Sequence, residues 1–355
     1  MTVPTVADAG VKPEVARSSL PPGDWLLLAL LPGTLTCLFY FGAGVAENLV
    51  IGCVTGLGCD AAVRWFSESR AASANRFGTF DRSALIPAIL IALAVPPGAP
   101  WGVLTIAVGS AYLVAKHAFG GARNAVVNPA VYGYQVELGS HPATMASWPS
   151  PLATPDSFQA WIGTSPTLGR LSIPGGTADG VTLATPLDIL RQNSGNLLVD
   201  LIAAHHQLGA LAGVGWQQIN IAFLMGGMLL LNRGIVSWHI PLSFLATLTL
   251  CALLFYDEGS SASGGSPVFH LLSGATMLGA FFLATEPNMS PTEVGAQWIY
   301  GALTGALVFA LRVGGESPDG VAWAILAANL CAPLIEDIGL ARARRHPSAS
   351  SADRA

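Results

Sequence analysis

The chain has 355 residues, of which 52% are hydrophobic and 10% are charged, and its formal net charge is −5 at pH 7. Because soluble domains carry about 25% charged residues, this composition argues against a soluble protein and favours an integral membrane protein. Residues 1–24 are polar and lack the basic start and apolar core of a secretory signal, so we expect a cytoplasmic N-terminal segment there.

Ten apolar segments follow, and a transmembrane helix needs about 20 such residues to cross a bilayer. They form a first membrane half at 25–141 and a second at 217–340, separated by a long polar stretch at 142–216. Spans that are short or interrupted by Pro and Gly are typical of broken helices around a central site. The ten predicted spans are 25–45, 48–66, 83–97, 101–119, 128–141, 218–231, 236–256, 268–285, 296–313 and 321–340.

The two halves repeat each other approximately. In the first half Ser83 opens a span and Gly120 follows 37 residues later, and in the second half Ser273 opens a span and Gly314 follows 41 residues later. Because each half has an odd number of spans, the halves must run in opposite directions through the membrane. The sequence therefore predicts an all-α integral membrane protein with about ten transmembrane helices, arranged as a 5+5 inverted repeat with broken helices.

The placement of basic residues predicts the orientation. With the N-terminus in the cytoplasm, 13 of the 16 lysines and arginines lie inside, and Arg170, Arg191 and Arg312 lie outside. This excess follows the positive-inside rule. We therefore expect a cytoplasmic tail at 341–355 and an external loop at 142–216.

The end of the external loop, residues 186–208, has the pattern of an amphipathic helix. Apolar side chains such as Leu187, Leu190 and Leu201 fall on one side, and polar side chains such as Asp188 fall on the other. Two interpretations remain open, a helix lying in the membrane interface and a helix packed within the loop.

A flavin-acceptor pattern lies in the same loop. Asp179, Thr182, Ala184 and Thr185 fit the form Asp-x-x-Ser/Thr-x-Ala-Ser/Thr, at which a flavin transferase splits FAD and leaves FMN on the last hydroxyl as a phosphoester. A threonine hydroxyl is a weak nucleophile and must be activated. We expect Thr185 to carry FMN, Ala184 to leave room for the transferase, Asp179 to help bind the metal of that enzyme, and Thr182 to belong to the recognised motif.

A second threonine is the alternative acceptor. Ser273, Gly274, Ala275 and Thr276 form a literal Ser-Gly-Ala-Thr sequence, but it opens an apolar span, and the residue three positions before its serine is His270 rather than an acid. Because a modifying enzyme needs an accessible loop, we expect FMN on Thr185 rather than on Thr276.

Several polar residues in or beside the spans have a structural and a functional interpretation. We expect His239 to be a packed, hydrogen-bonded residue, although ionisable residues in membrane helices are often functional. Asp60 is expected to pair with Arg64 along one helix face, with an ion path as the alternative. Glu286 and Asp319 stand at helix ends, where a carboxylate caps a helix or meets a cation.

Glycine and cysteine patterns indicate packing rather than chemistry. The pairs Gly52 and Gly56, and Gly301 and Gly305, have the spacing of closely packed membrane helices. The five cysteines lie in apolar runs and form no C-x-x-C pair, which disfavours disulfides and zinc. We therefore predict no metal site.

Motifs spread over residues 25–340 carry a family resemblance. They are Asp81-Arg82-Ser83-Ala84-Leu85, Phe119-Gly120-Gly121, Asn128-Pro129-Ala130-Val131-Tyr132-Gly133-Tyr134, Met145-Ala146-Ser147-Trp148, Ser237-Trp238-His239-Ile240-Pro241, Ser273-Gly274-Ala275-Thr276, Gly279-Ala280-Phe281-Phe282, Thr285-Glu286-Pro287 and Pro318-Asp319-Gly320-Val321-Ala322. Together they make the chain similar to the membrane-subunit family that includes the D subunit of the Rnf electron-transport complex and the B subunit of the sodium-pumping NADH:quinone reductase.

The resemblance implies a subunit of the bacterial inner membrane, not catalytic alone, that relays electrons between reduced ferredoxin and NAD, coupled to Na⁺ or H⁺ transport. It also implies covalent FMN on Thr185. The partners would be the other Rnf-complex subunits, a flavin transferase and membrane lipid, without nucleic acid. Thr182 replaces Ser and Leu183 replaces Gly in the Ser-Gly-Ala-Thr motif of the family.

Two questions stay open at this point. The first is whether a second, noncovalent flavin lies near residues 81–85. The second is whether the chain is instead a solute channel or secondary transporter, since a 5+5 inverted repeat also builds those proteins. A transporter has no need of a flavin-acceptor motif.

Overall fold

The computed structural model describes residues 20–68, 85–118, 127–151, 158–167, 185–193, 195, 200–201, 204–205, 208–209, 211–257, 265–315 and 319–345. Within these ranges the structure is helical, and a single bridge between Leu208 and Gly213 is the only β-type pairing. Every one of the ten predicted spans contains helical residues.

Five helices build the first half. Pro22 stands in the first turn of the first helix, and Gly42, with a positive φ of 69°, ends it. Asn128 caps the fifth helix, because its Oδ1 accepts hydrogen bonds from the amides of Ala130 and Val131. The helices are α1 (Pro22–Phe41), α2 (Ala43–Glu68), α3 (Ile86–Ala94), α4 (Trp101–Ser110, continued by a π-helical turn over Ala111–Ala118) and α5 (Pro129–Ser140).

Among the described residues, three short helices with complete bounds follow in the segment between the halves, and six helices build the second half. The short helices are α6 (Pro142–Ala146), α7 (Phe158–Gly163) and α8 (Pro186–Gln192). The second half contains α9 (Trp216–Asn232), α10 (His239–Leu254), α11 (Pro267–Leu272), α12 (Thr276–Leu278, continued by π-helical Gly279–Leu283), α13 (Val294–Gly314) and α14 (Val321–Arg345).

Within the described part of the chain, four helices are long and apolar enough to cross a membrane, at Pro22–Phe41, Ala43–Val63, Val294–Gly314 and Val321–Ala341. Their outward faces expose large apolar side chains such as Leu35, Val54 and Leu334. Such surfaces suit lipid, and all backbone polar groups of a helix are satisfied internally. The chain is thus an all-α membrane protein, while the number of ten crossings and the inverted repeat stay predictions.

The two halves meet along two pairs of helices. Helix α1 packs against α9, and α5 packs against α14. The first contact is close, because a Cβ on Gly226 of α9 would overlap the carbonyl oxygen of Ala29 in α1. The side chain of Asn128 also joins the halves by donating to the carbonyl of Leu283 at 3.1 Å.

The predicted glycine pairs lie at close helix contacts, which confirms the packing interpretation. A Cβ on Gly52 would lie 3.2 Å from the carbonyl oxygen of Ala88, and a Cβ on Gly56 would lie 3.0 Å from the Tyr112 ring. In α13, Cβ atoms on Gly301 and Gly305 would overlap the backbone of α10.

We expect Gly305→Ala to destabilise the protein, because the added methyl group meets the carbonyl oxygen of Phe244, a backbone atom that cannot move alone. Overpacking of this kind costs about 1–3 kcal/mol, which should lower the melting temperature in detergent by several degrees. Gly314→Ala is the matched control in the same helix, since no atom lies within 4 Å of its Cβ position. Equal melting temperatures for the two variants would contradict the close contact.

Candidate functional site

A cavity of about 1230 Å³, counting its open mouth, lies between the two halves. Helices α1, α3 and α5 form its walls on one side, and α9, α12 and α14 form its walls on the other. Helix α8 and its N-cap contribute Thr185, Leu187 and Asp188 to the lining. The predicted FMN acceptor is therefore part of the wall of this cavity between the halves.

Three aromatic rings from distant parts of the chain line this cavity together. The ring centroids of Phe41 and Trp148 are 5.4 Å apart, those of Phe41 and Trp216 are 5.3 Å apart, and those of the two tryptophans are 5.1 Å apart. These tilted and edge-on arrangements are the favoured geometries of aromatic pairs. The cluster provides a rigid apolar wall, against which a planar aromatic ligand can pack.

Thr185 is the N-cap residue of α8 and forms a capping box with Asp188. The Thr185 hydroxyl donates to Asp188 Oδ2 at 2.6 Å and accepts from the Asp188 amide at 3.2 Å. The Thr185 amide donates to the same carboxylate oxygen at 3.0 Å. This reciprocal pattern fixes the acceptor hydroxyl at the start of the helix. The other predicted motif residues, Asp179, Thr182 and Ala184, lie outside the described residues.

The helix predicted over residues 186–208 is shorter, and its apolar side is covered by protein. Helix α8 ends at Gln192. Leu187, Ile189 and Leu190 form a buried cluster with side chains that include Phe269 of α11. For α8 the packed alternative is therefore confirmed, because contacts with the second half bury the apolar side chains that would otherwise face lipid. Residues 196–199 and 202–203 of the predicted helix lie outside the described residues.

The predicted span 268–285 is broken in its middle. Helix α11 ends at Leu272, and α12 begins at Thr276. Gly274 has a φ of +60°, and a Cβ there would overlap the carboxylate of Asp319. Only glycine combines this conformation with this close approach. Gly274 and Ala275 both line the cavity.

The buried side chain of Arg312 stabilises one side of the break between α11 and α12. The Arg312 guanidinium donates to the carbonyls of His270 at 2.6 Å and Ser273 at 3.2 Å, and to Asp319 Oδ1 at 2.6 Å. Its side chain is only 1% exposed. The carboxylate of Asp319 in turn accepts from the Ala275 amide at 3.1 Å. Backbone groups freed by the break are thus satisfied by protein, as a membrane interior requires.

Asn220 of α9 stabilises the other side of the break between α11 and α12. Its Nδ2 donates to the carbonyls of Leu272 at 3.0 Å and Gly274 at 2.9 Å, and its Oδ1 accepts from the Met277 amide at 3.1 Å. One amide side chain therefore satisfies backbone groups on both sides of the interruption.

Thr276, the alternative acceptor, is fully buried within this network. Its hydroxyl donates toward the carbonyls of His270 and Ser273, both at 2.9 Å, and accepts from Arg312 at 2.8 Å. Thr185, by contrast, is partly exposed and faces the cavity. The geometry gives Thr276 a structural role in the broken helix.

Two other predicted residues are packed in the structure. The ring of His239 stacks on Trp238 at 4.1 Å, and its Nδ1 lies 2.8 Å from the Ser237 hydroxyl, which confirms the expected packed histidine. Asp60 Oδ1 lies 2.9 Å from Lys116 Nζ and 3.2 Å from His117 Nε2, in neighbouring helices. The side chain of Arg64 lies outside the described residues, so the pair of Asp60 with Arg64 stays a prediction.

The two helix-end carboxylates differ in their surroundings. Burial raises the pKa of Glu286 above its ordinary value, and a hydrogen bond from Asn288 partly offsets this shift. Asp319 accepts from Arg312 and from the Ala275 amide, at the start of α12. Asp319 precedes α14, but its described partners lie in α13 and at the break between α11 and α12.

Sequence reasoning missed the part played by several polar residues. The positive-inside count treats Arg312 as an external charge, although its position inside the apolar run 296–313 is a signal of a buried role. Asn220 gives no signal beyond its polarity, whereas Asp188 stands three residues after Thr185, which is the spacing of a capping box. Glu137 is fully buried, and its Oε2 lies 2.8 Å from His141 Nδ1 at the end of α5. The sequence signal for this buried role is the presence of a glutamate within the predicted span 128–141.

Comparison with known proteins gives consistent matches along the chain. The family model described as "NQR2, RnfD, RnfE family" matches residues 24–343. A protein of Vibrio atlanticus, named as the D subunit of an ion-translocating oxidoreductase complex, is 39% identical over 337 residues, covering 90% of this chain and 93% of the relative. Proteins of the same name are 41% identical in Ectopseudomonas mendocina (88% and 87% covered) and in Sodalis glossinidius (90% and 93%). The chain therefore belongs to the NQR2, RnfD, RnfE family.

Proposed function

We propose that this chain is the flavin-carrying membrane subunit of an ion-translocating oxidoreductase complex and that it holds FMN as a phosphoester on Thr185. The observation that carries the proposal is the position of Thr185 in the wall of a mainly apolar cavity beside three aromatic rings. Its relatives are named as the D subunit of such a complex. The fixed acceptor and the aromatic wall are the two features that a tethered flavin requires.

The described residues fit FMN in their chemistry. The lining is mainly apolar, which suits the flat ring system of a flavin. Phe41, Trp148 and Trp216 would pack against the isoalloxazine ring, and Thr185 would hold the phosphate covalently. No lysine, arginine or histidine is among the described lining residues. Because the phosphoester tethers the phosphate, its retention needs no cationic side chain.

The role of the protein is to hold the flavin and to exclude water from it. When bound, FMN supplies electron transfer, which no side chain of this chain can replace. By family resemblance, the complex would link reduced ferredoxin and NAD and move Na⁺ or H⁺. The partners are then other complex subunits, a flavin transferase that loads FMN, and surrounding lipid.

By family resemblance the location would be the bacterial inner membrane, and the basic residues favour an orientation with both termini in the cytoplasm. Of the three basic residues assigned to the outside, Arg312 is buried and therefore is not an external loop charge. The remaining count still favours an external loop before α9. With this orientation, Thr185 would lie on the side opposite the termini.

A solute channel or secondary transporter is the second candidate function. The broken helix α11–α12 beside the cavity favours it, since interrupted helices form substrate sites in transporters. Covalent flavin discriminates between the two functions. The cavity of a transporter would have to admit solute, whereas a cavity filled by a tethered flavin would not.

Flavin attached to the denatured polypeptide is the direct test. We expect the chain, produced together with a flavin transferase, to fluoresce as a flavin after SDS gel electrophoresis, because a phosphoester survives denaturation. The intact mass should exceed that of the polypeptide by one FMN less one water. A chain produced without the transferase is the control, and a loaded chain without fluorescence and without added mass would contradict the proposal.

A further inference from the structure

We propose that Asp188 is the general base for attachment of FMN to Thr185, so that the acceptor chain contributes a catalytic residue to its own modification. The inference rests on the proposed function, because it concerns how the flavin is attached. Its basis is the 2.6 Å hydrogen bond in which the Thr185 hydroxyl donates to Asp188 Oδ2. A base must lie within about 2.6–3.2 Å of the proton that it removes.

The hydrogen bonds around the hydroxyl leave it ready to attack. A hydroxyl has one proton and two lone pairs. The proton of Thr185 points to Asp188 Oδ2, and one lone pair accepts from the Asp188 amide at 3.2 Å. The second lone pair has no partner among the described residues. Thr185 lines the cavity, and in the proposed step this lone pair attacks the phosphorus atom.

Asp188 is also the suitable carboxylate in the lining. Asp319 lines the same cavity, but its charge is balanced by Arg312 at 2.6 Å. The described contacts of the Asp188 carboxylate are the hydroxyl and amide of Thr185. Its negative charge is thus directed at the reacting oxygen, where it favours loss of the proton as the new bond forms.

The step balances with FAD as the second substrate and the flavin transferase as the enzyme that presents it. The Thr185 oxygen forms a bond to the phosphorus that carries the riboflavin. The bond from this phosphorus to the bridging oxygen breaks, and the electron pair leaves with AMP. The proton of the hydroxyl passes to Asp188 Oδ2 and then to water. Nothing is oxidised or reduced.

A capping box alone would explain the same contacts, and the two roles differ in what they require of residue 188. Capping requires an acceptor atom at this position, which an asparagine oxygen also supplies. Proton removal requires a carboxylate. Asp188→Asn therefore keeps the acceptor and removes the base, whereas Asp188→Glu keeps both the charge and the residue type common in capping boxes.

The test is the initial rate of FMN incorporation into the full-length chain, purified in detergent without bound flavin. The chain is incubated with purified flavin transferase, FAD and Mg²⁺, and FMN is followed by flavin fluorescence after SDS electrophoresis. We expect Asp188→Asn to lower the rate by about 100-fold or more and Asp188→Glu to stay within about tenfold of the wild type. Unchanged melting temperatures should accompany both results.

Chemical rescue separates a base from a structural contact. Formate added to Asp188→Ala supplies a small carboxylate in the space of the missing one, and we expect it to raise the rate at least about tenfold. A stabilising contact would not be replaced in this way, and this measurement also applies if the asparagine variant fails to fold. Absence of rescue would overturn the inference.

The remaining outcomes separate the role of Asp188 as a base from the proposed function of the chain. Incorporation into Asp188→Asn at the wild-type rate, or equal slowing in the asparagine and glutamate variants, overturns the role of Asp188 and leaves the proposed function intact. A wild-type chain that accepts no FMN under conditions in which the transferase modifies another acceptor protein overturns both.

Discussion

The Thr185→Ala chain is expected to insert into the membrane and assemble with its partners but to carry no FMN and to support no electron transfer above background. The alanine removes the hydroxyl to which the phosphoester would be attached, and the side chains of this protein do not supply the redox chemistry of a flavin. Loss of the capping hydroxyl costs only about 1 kcal/mol, so the fold should persist. The measurements are flavin fluorescence after SDS electrophoresis, assembly on native gels, and ferredoxin- or NADH-linked electron transfer in membranes.

Thr276→Val is the matched control, because it replaces a threonine with a residue of nearly the same size. The buried Thr276 hydroxyl contacts His270, Ser273 and Arg312, so we expect lower stability with FMN retained. The opposite pattern, with FMN kept in Thr185→Ala and lost in Thr276→Val, would identify Thr276 as the acceptor. Normal electron transfer by an assembled, FMN-free Thr185→Ala complex would contradict the relay and favour the transporter.

Helical segments could be predicted because the membrane imposes a simple rule on composition. Runs of apolar residues between polar segments mark the helices, and residues 236–256 and 296–313 contain most of α10 and α13. The break in span 268–285 is different. Its geometry depends on Asn220 and Arg312, which lie far from Gly274 in the sequence. Local periodicity carries no information about such distant partners.

The candidate site was predictable only in part, because local motifs are visible in the sequence and contacts between distant residues are not. The acceptor Thr185 belongs to a short motif and is visible in the sequence. The cavity beside it depends on Phe41, Trp148 and Trp216, which come together only when α1, the segment after α6 and α9 pack. The capping box was not predicted, although Asp188 stands three residues after Thr185, because the periodicity assigns Asp188 only to the polar side of a longer helix.

Arg312→Met is expected to cause the largest loss of stability of the substitutions considered. Methionine keeps much of the volume but leaves the carbonyls of His270 and Ser273 without this donor and the Asp319 carboxylate without its cation. Removing one partner of a buried ion pair costs about 3–5 kcal/mol. Because the Asp319 side chain is 30% exposed, water offsets part of this cost, and we expect a loss near the lower end, about 3 kcal/mol.

Thermal unfolding in detergent, followed by tryptophan fluorescence, measures this loss, with Arg233→Met as the control. Arg233 is exposed at the end of α9, and its described contact is a cation–π interaction with the Trp25 ring at 4.3 Å. Such exposed contacts are worth about 0.5–1 kcal/mol, so the control should melt close to the wild type. If both variants melted alike, Arg312 would not be holding the broken helix. A selective loss in Arg312→Met would show that the break beside the cavity depends on this buried charge.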